Sequence, residues 1–414
     1  MIYHRRNQSS TPQTDSNMPD PNHPVFIQHL APKNFLSFGP DNLGIDLHSL
    51  NVFIGPNGSG KSNLIEAIGF MRSAPKEIQE VTRKGGGVGE WIWKGGVRKD
   101  ASMEWVVTKR HGIRPPLRHF ICFNSVAQSF SFTDERVEDS EPADPREQEV
   151  DFYYRYQNGN HVVNTAEGGK RKLARDTVEP DRSILAQRRD PERYPELAWL
   201  AENYEKVRIY REWAFGRNAV FRVPQKADMR NDTLEEDFSN LGLFLNRLKT
   251  RSPVAKRAIL DGLKDLYDGI VDFEVLIEGG TVQVFFVEGD FSVPATRLSD
   301  GTLRYLCLLA ILCDPDPPPL ICIEEPELGL HPDILPKVAD LLRAASKRTQ
   351  LIVTTHSDIL VDAMTETPEV VVVCSKRQGE TTMERLNPED LTEWLKRYRL
   401  GQLWMKGEIG GTRW

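Results

Sequence analysis

The chain has 414 residues, 39% of them hydrophobic, with a formal net charge of −7 and a sequence pI of about 5.8. That length suits roughly two or three packed domains, and the acidic balance excludes a global basic field for attracting nucleic acid. The five cysteines (Cys122, Cys307, Cys313, Cys322, Cys374) show no Cys-x-x-Cys spacing and four lie in apolar runs, so neither zinc nor disulfides are expected.

Residues 1–24 are polar and proline-rich, as in Pro19-Asp20-Pro21, and read as a disordered tail without a signal peptide. The longest apolar run, Leu306–Cys313, is far short of a membrane span, so a cytoplasmic protein without a membrane partner is expected. Leu50–Ile54 reads as a buried strand, and Asn63–Met71 repeats apolar residues at helical spacing. Between them, Gly55-Pro56-Asn57-Gly58-Ser59-Gly60-Lys61-Ser62 matches G-x-x-x-x-G-K-[ST], the phosphate-binding loop of nucleotide triphosphatases. Glycines let backbone N–H groups turn inward around phosphates, the lysine reaches the β/γ-oxygens, and the serine hydroxyl ligates Mg²⁺. The following helix points its positive end at the same phosphates.

Residues 76–186 carry short alternating segments such as Ser102–Val107 and Phe152–Tyr156, which predict an antiparallel β subdomain. The acidic run from Asp134 to Asp151 reads as a solvated loop. Residues 188–270 read as helical, with amphipathic spacing over Leu197–Tyr210 and Leu241–Leu248. Pro191, Pro195, Pro224 and Pro253 interrupt that stretch, and no heptads are sustained, so a compact helical arm is expected rather than a long coiled coil. A hairpin follows, Val271–Glu278 and Thr281–Val287 across Gly279-Gly280. Lys170, Arg171, Lys172 and Arg175, with Arg182, Arg188, Arg189 and Arg193, alternate with acids. A solvated charged face is favoured over a DNA-facing surface for them.

Leu298-Ser299-Asp300-Gly301-Thr302 precedes an apolar helical run, with Ser299 or Asp300 as cap. Pro319–Ile323 is a buried-strand run ending in Glu324-Glu325, and Leu351–Thr355 is another, ending at His356. An apolar strand closing on two carboxylates suits a metal-shell acid followed by a base for the attacking water.

In that order, the glycine loop, LSDGT, IEEPE, a Gly-Leu-His turn and THS resemble the ABC-type ATPases, and within them the SMC/RecF/OLD branch. Asn57 and Asn63 in GPNGSGKSN, and the opening Lys33-Asn34-Phe35-Leu36-Ser37-Phe38, carry the choice of branch. The likeness is nearest to the stand-alone ATPases of anti-phage and DNA-maintenance operons, and covers roughly residues 25–75 and 290–375. It implies an α/β head with a mixed or parallel central sheet, an antiparallel β subdomain and a short helical arm. It implies ATP and Mg²⁺ as ligands: Gly55 through Asn63 hold nucleotide, and Ser62 and Glu324 hold metal. Glu325 is the implied base and His356 the switch histidine. Glu324 stands where most of the family has Asp, which lengthens that arm by a methylene. LSDGT resembles the signature that reaches a γ-phosphate on a second subunit, so Ser299, Asp300 and Gly301 are implied to act in trans in a head-to-tail dimer. Glu327–Leu330 corresponds to the D-loop. A glutamine in the metal and water shell is also implied; Gln187 is the candidate and Gln128 the weaker one.

The expected layout is a tail (1–24), ATPase lobe I (25–187), a helical insertion (188–270), lobe II (271–375) and a C-terminal extension (376–414) whose Trp404 and Trp414 either pack on the cassette or dock a partner. The implied function is a switch ATPase in anti-phage defence or DNA maintenance, partnered by DNA and/or a separate effector such as a nuclease. The alternatives are a transporter's nucleotide-binding subunit and a scaffold with little turnover.

Overall fold

The computed structural model describes residues 24–411 apart from 98–99, 110–114, 145, 158, 175–176, 215, 217–218 and 267–268. The proline-rich N-terminal stretch (residues 1–23), Arg175 and Trp414 lie outside the described residues.

A six-stranded central sheet positions the site. Its strands lie in the order Arg208–Tyr210, Leu320–Glu324, Gln350–Thr354, Leu50–Ile54, Val371–Arg377, Glu380–Arg385. The first five run parallel and the last is antiparallel. The apolar runs read from the sequence form its middle because both faces of a parallel sheet are covered. Side chains alternate between two cores with period two. Leu50, Val52, Ile321, Ile323, Leu351 and Val353 join the helices Leu241–Arg251, Pro253–Leu266, Asp300–Leu312 and Leu335–Ala345 on one face. Phe53, Cys322 and Ile352 join the helix Lys61–Ser73 and an antiparallel sheet on the other.

That second sheet has eight strands, all antiparallel, from Ile45–Asp46 at one edge to Lys170–Leu173 at the other, so the expected β subdomain is present. One expectation within it needs correction. The acidic run does not begin as a solvated loop: Asp134 to Asp139 belong to the strand Ser129–Asp139, and Glu135, Glu138 and Asp139 are buried. Cross-strand partners make this tolerable. Glu138 accepts from Arg118 and Arg155, Asp139 from Lys109 and Tyr153, and Glu135 from Ser183 and the Ile184 amide.

Residues 188–270 hold the helices Pro195–Lys206, Leu241–Arg251 and Pro253–Leu266. The amphipathic stretch expected to reach Tyr210 ends at Lys206, and Arg208–Tyr210 is instead a strand of the central sheet, paired with Ile321–Ile323. The hairpin forms as read, with Gly279 and Gly280 both at positive φ, the conformation of a two-residue type I′ turn. It belongs to a small separate sheet with Gln225–Lys226 and Phe291–Pro294. The central sheet also continues past residue 375, through Glu380–Arg385. Trp404 packs on the cassette, with its indole N–H donating to the Gly411 carbonyl. Among the described residues no helix is long and apolar enough to cross a membrane.

Candidate nucleotide site at the sheet edge

The loop after Leu50–Ile54 turns directly into the helix Lys61–Ser73. Two of its glycines are dictated by their surroundings. Gly55 has φ 146 and a Cβ there would sit 2.2 Å from the Cys374 carbonyl; Gly60 has φ 103 and a Cβ would sit 2.1 Å from Thr381 Oγ1. Both conformations favour glycine in any case. The hairpin between the last two strands braces the loop, since Thr381 Oγ1 donates to the Ser59 carbonyl, and Ser37 Oγ contacts both Thr381 and Asn63. The Lys33–Phe38 segment therefore buttresses the loop. Lys61 is buried and its ammonium donates to the carbonyls of Gly55 (2.7 Å) and Pro56 (3.2 Å). Burial lowers its pKa, while Glu325 and Glu324 pull it back up.

Parallel pairing brings the other groups to the same edge, because Glu324 lies level with Thr354 and Thr354 with Phe53. Ser62 Oγ donates to Glu324 Oε1. Glu325 has φ 48, unusual for a side-chain-bearing residue and the kind of local strain found at working sites. Its amide donates to the Thr354 carbonyl, and its Oε1 lies 3.5 Å from His356 Nε2. Burial, and then Lys61, lower the pKa of His356, against the opposite pull of Glu325. The His356 amide donates to Glu327 Oε1 at 2.7 Å, and burial raises the Glu327 pKa. Lys61, Ser62, Glu324, Glu325 and His356 thus converge on one edge.

Residues 50–362 match the protein family described as "AAA domain, putative AbiEii toxin, Type IV TA system". The chain belongs to this family of AAA-domain ATPases. Its fold is that of an SMC head. It resembles the Smc head bound to the C-winged helix domain of ScpA, with a TM-score of 0.58, 16% identity, and coverage of 89% of this chain and 100% of that one. It also resembles the Smc head with an extended coiled coil, bound to the C-terminal domain of ScpA, from Pyrococcus furiosus (TM-score 0.51, 15% identity, 90% and 98% coverage). A curated relative, the DNA replication and repair protein RecF of Renibacterium salmoninarum, is 41% identical over 49 residues. That match spans 12% of this chain and 12% of the relative's length.

In this ATPase the LSDGT segment opens the helix Asp300–Leu312, with Ser299 as N-cap accepting from the Thr302 amide at 3.1 Å. Ser299 and Asp300 are exposed. Asp300 accepts from Arg222 (2.5 Å) and the Gly216 amide (3.2 Å), and a Cβ on Gly301 would lie 3.0 Å from the Gly329 carbonyl in the D-loop turn. The Asp300 bonds run to Gly216 and Arg222, and among the described residues no hydrogen bond joins this segment to the chain's own phosphate loop.

The glutamine expectation is not met by the geometry. Gln187 spends its amide on Glu179 and Arg182, giving to their carbonyls and accepting from the Glu179 amide. Gln128 is an exposed residue of the hairpin turn between Leu117–Val126 and Ser129–Asp139, at φ 66. The residue that approaches Glu324 from the side is Arg211, whose Nε lies 3.3 Å from Glu324 Oε2. The signal for it was the three-residue strand Arg208–Tyr210, too short to carry a periodicity. Behind the acids, Arg304 donates to the Glu325 carbonyl and stacks 4.5 Å over Trp213, whose indole donates to the Glu324 carbonyl.

The residues suit a hard cation. Ser62 and Glu324 offer oxygen donors, and two further buried hydroxyls at this edge, Ser59 Oγ and Thr354 Oγ1, have no hydrogen-bond partner among the described residues. One carboxylate and a hydroxyl, with phosphate oxygens and water completing the shell, is the usual mode for Mg²⁺. A groove of about 1220 Å³ lies elsewhere, lined by Arg72, Glu202, Asp237 and Pro319 but by no phosphate-loop residue.

Proposed function

We propose that this chain binds and hydrolyses ATP as a switch, two copies closing head-to-tail around the nucleotide. The observation that carries the reading is the convergence of Lys61, Ser62, Glu324, Glu325 and His356 on one sheet edge, while Ser299 and Asp300 present an exposed helix start that, among the described residues, makes no hydrogen bond to its own phosphate loop. Lys61, held over the loop carbonyls, is placed to exchange them for β/γ-oxygens. Ser62 and Glu324 would hold Mg²⁺, which neutralises charge building on those oxygens. Glu325 orients and deprotonates the attacking water, with His356 beside that carboxylate, its Nε2 3.5 Å from Oε1. The biological setting we propose is anti-phage defence or DNA maintenance, with DNA and/or a separate effector protein as partner, in a cytoplasmic homodimer. It is supported by membership of a family that includes a putative toxin of a type IV toxin–antitoxin system and by the RecF relative. The fold likeness to SMC heads weighs against the transporter-subunit alternative.

Glu325→Gln tests the reading, because it keeps size and removes the basic oxygen. ATP binding survives, phosphate release falls on the order of a hundredfold or more, and light scattering after size exclusion shows an ATP-dependent dimer accumulating. Hydrolysis at the wild-type rate would place the base elsewhere. Lost turnover without any larger species would leave the ATPase standing and remove the dimer switch.

A further inference from the structure

Arg211 follows the strand Arg208–Tyr210, whose register pairs Tyr210 with Ile323, so the next step of the ladder brings Arg211 level with Glu324. Its guanidinium faces two carboxylates at once. Nε lies 3.3 Å from Glu324 Oε2 as an ion pair without hydrogen-bond alignment, and Nη1 donates to Glu66 Oε1 at 2.5 Å. Glu66 is one helical turn beyond Ser62 on the helix Lys61–Ser73, and Ser62 donates to the other oxygen of Glu324. The contacts therefore close a ring, Ser62 to Glu324 to Arg211 to Glu66 and back along the helix. It ties the phosphate-loop helix to the strand carrying the metal-shell acid and to the strand beside it.

We infer that Arg211 is a positioning residue that fixes the Glu324 carboxylate against Ser62 and so sets the affinity of the metal shell. This rests on the reading of Ser62 and Glu324 as the Mg²⁺ ligands. The physical need arises from the side chain at 324. A glutamate has one more rotatable bond than an aspartate, and a free arm would lose that freedom each time it ligated. The Arg211 charge restrains that freedom beforehand through its ion pair with the outer oxygen, while the inner one accepts from Ser62. The guanidinium bonds Glu66 while its charge faces Glu324, a pairing that a lysine ammonium on its flexible stem does not reproduce. Glu66 orients the guanidinium in turn. Burial works against the Arg211 charge, but the contact with Glu66 outweighs it and holds the pKa above its ordinary value. A groove of about 640 Å³, lined by Glu66, Arg211, Arg72 and Glu236, flanks the ring, so substitutions here open toward solvent rather than into a packed core.

The test is nucleotide affinity by calorimetry with ATP, with and without Mg²⁺, alongside phosphate release. The ratio of the two affinities measures how strongly the metal shell is coupled to nucleotide. Arg211→Ala and Arg211→Lys should lower that ratio about tenfold, the lower end of what loss of a ligand-orienting partner costs, while Mg²⁺-free affinity changes far less. Glu66→Gln should shift it in the same direction by a smaller factor. In a Glu324→Gln background Arg211→Ala should add nothing, since its route is through that carboxylate. A wild-type ratio in Arg211→Ala, or a full additional loss in the Glu324→Gln background, overturns the inference. Retained Mg²⁺-free binding shows the variant is folded; if Arg211→Ala does not fold, Arg211→Lys and Glu66→Gln carry the same comparison. Failure of the wild-type protein to bind ATP under any condition would instead sink the nucleotide-site reading itself.

Discussion

On the eight-stranded sheet, Glu135 is 2% exposed and shares its oxygens among the Ser183 hydroxyl, the Ile184 amide and His119. On the central sheet, Glu324 and Glu325 stand at a strand end, 17% and 31% exposed, against Ser62, Arg211 and His356. The residue types are the same. In the first region the carboxylate takes three donors and locks a helix start, Ser183–Leu185, onto the strand. In the second, one acid sits in a left-handed backbone conformation and buried hydroxyls nearby are left unpaired. A satisfied buried carboxylate serves the fold, whereas a half-satisfied one at a strand end is left with capacity for a ligand.

The strongest way to break that contrast is at the lysine that completes the second region. Lys61→Ala removes the point charge meant for the β/γ-phosphates and should abolish ATP binding, a loss of several kcal/mol of charge-assisted contact, with the circular dichroism spectrum unchanged. Calorimetry showing wild-type affinity would mean that the loop does not hold phosphate. The reciprocal experiment is Glu135→Ala. It leaves the Ser183 hydroxyl, the Ile184 amide and His119 without their shared acceptor, and should cost about 3 kcal/mol of unfolding free energy in urea titration. ATP affinity measured at a temperature where the variant is folded should not move. A fall in affinity without a fall in stability would erase the distinction between the two regions.

The site was legible in the sequence because its parts are local: five buried residues, a glycine loop, a helix, and strands that end on their functional groups. Parallel pairing then carried Glu324 and His356 to one edge without further information. What was illegible depends on partners distant in the chain. Glu135 and Glu138 read as a solvated loop because Arg118, Arg155 and Ser183, which neutralise or bind them, lie on other elements. Gln187 has the right residue type, but the nearby Glu179 and Arg182 backbone groups claim its amide. Arg211 was hidden because a three-residue strand flanked by charges looks like the end of the preceding helix, and only its pairing with Ile321–Ile323 gives it a place.

The junction between the two sheets sharpens the comparison at the smallest scale. His48 follows the edge strand Ile45–Asp46 of the antiparallel sheet and lies near Arg385, on the edge strand of the central one. Burial first, then the Arg385 guanidinium, push its pKa from 6.5 down to about 4, against the opposite pull of Asp46. The folded-state value is depressed, so the unfolded chain binds the extra proton more readily. The stabilising effect of a neutral His48 is therefore complete above pH 6.5 and is lost as pH falls toward about 4. A ring that is only partly buried retains a fraction of the nominal linkage, on the order of 1 kcal/mol after solvent screening. His48→Gln cannot take up that proton. Between pH 7 and pH 4 its melting temperature should fall less than that of the wild type, by about 2 °C, while the acid sensitivity due to carboxylates such as Glu135 persists in both. Identical slopes in the two proteins would mean that His48 is solvated as an ordinary surface histidine, and that the contact between the sheets at Arg385 does not feel its charge.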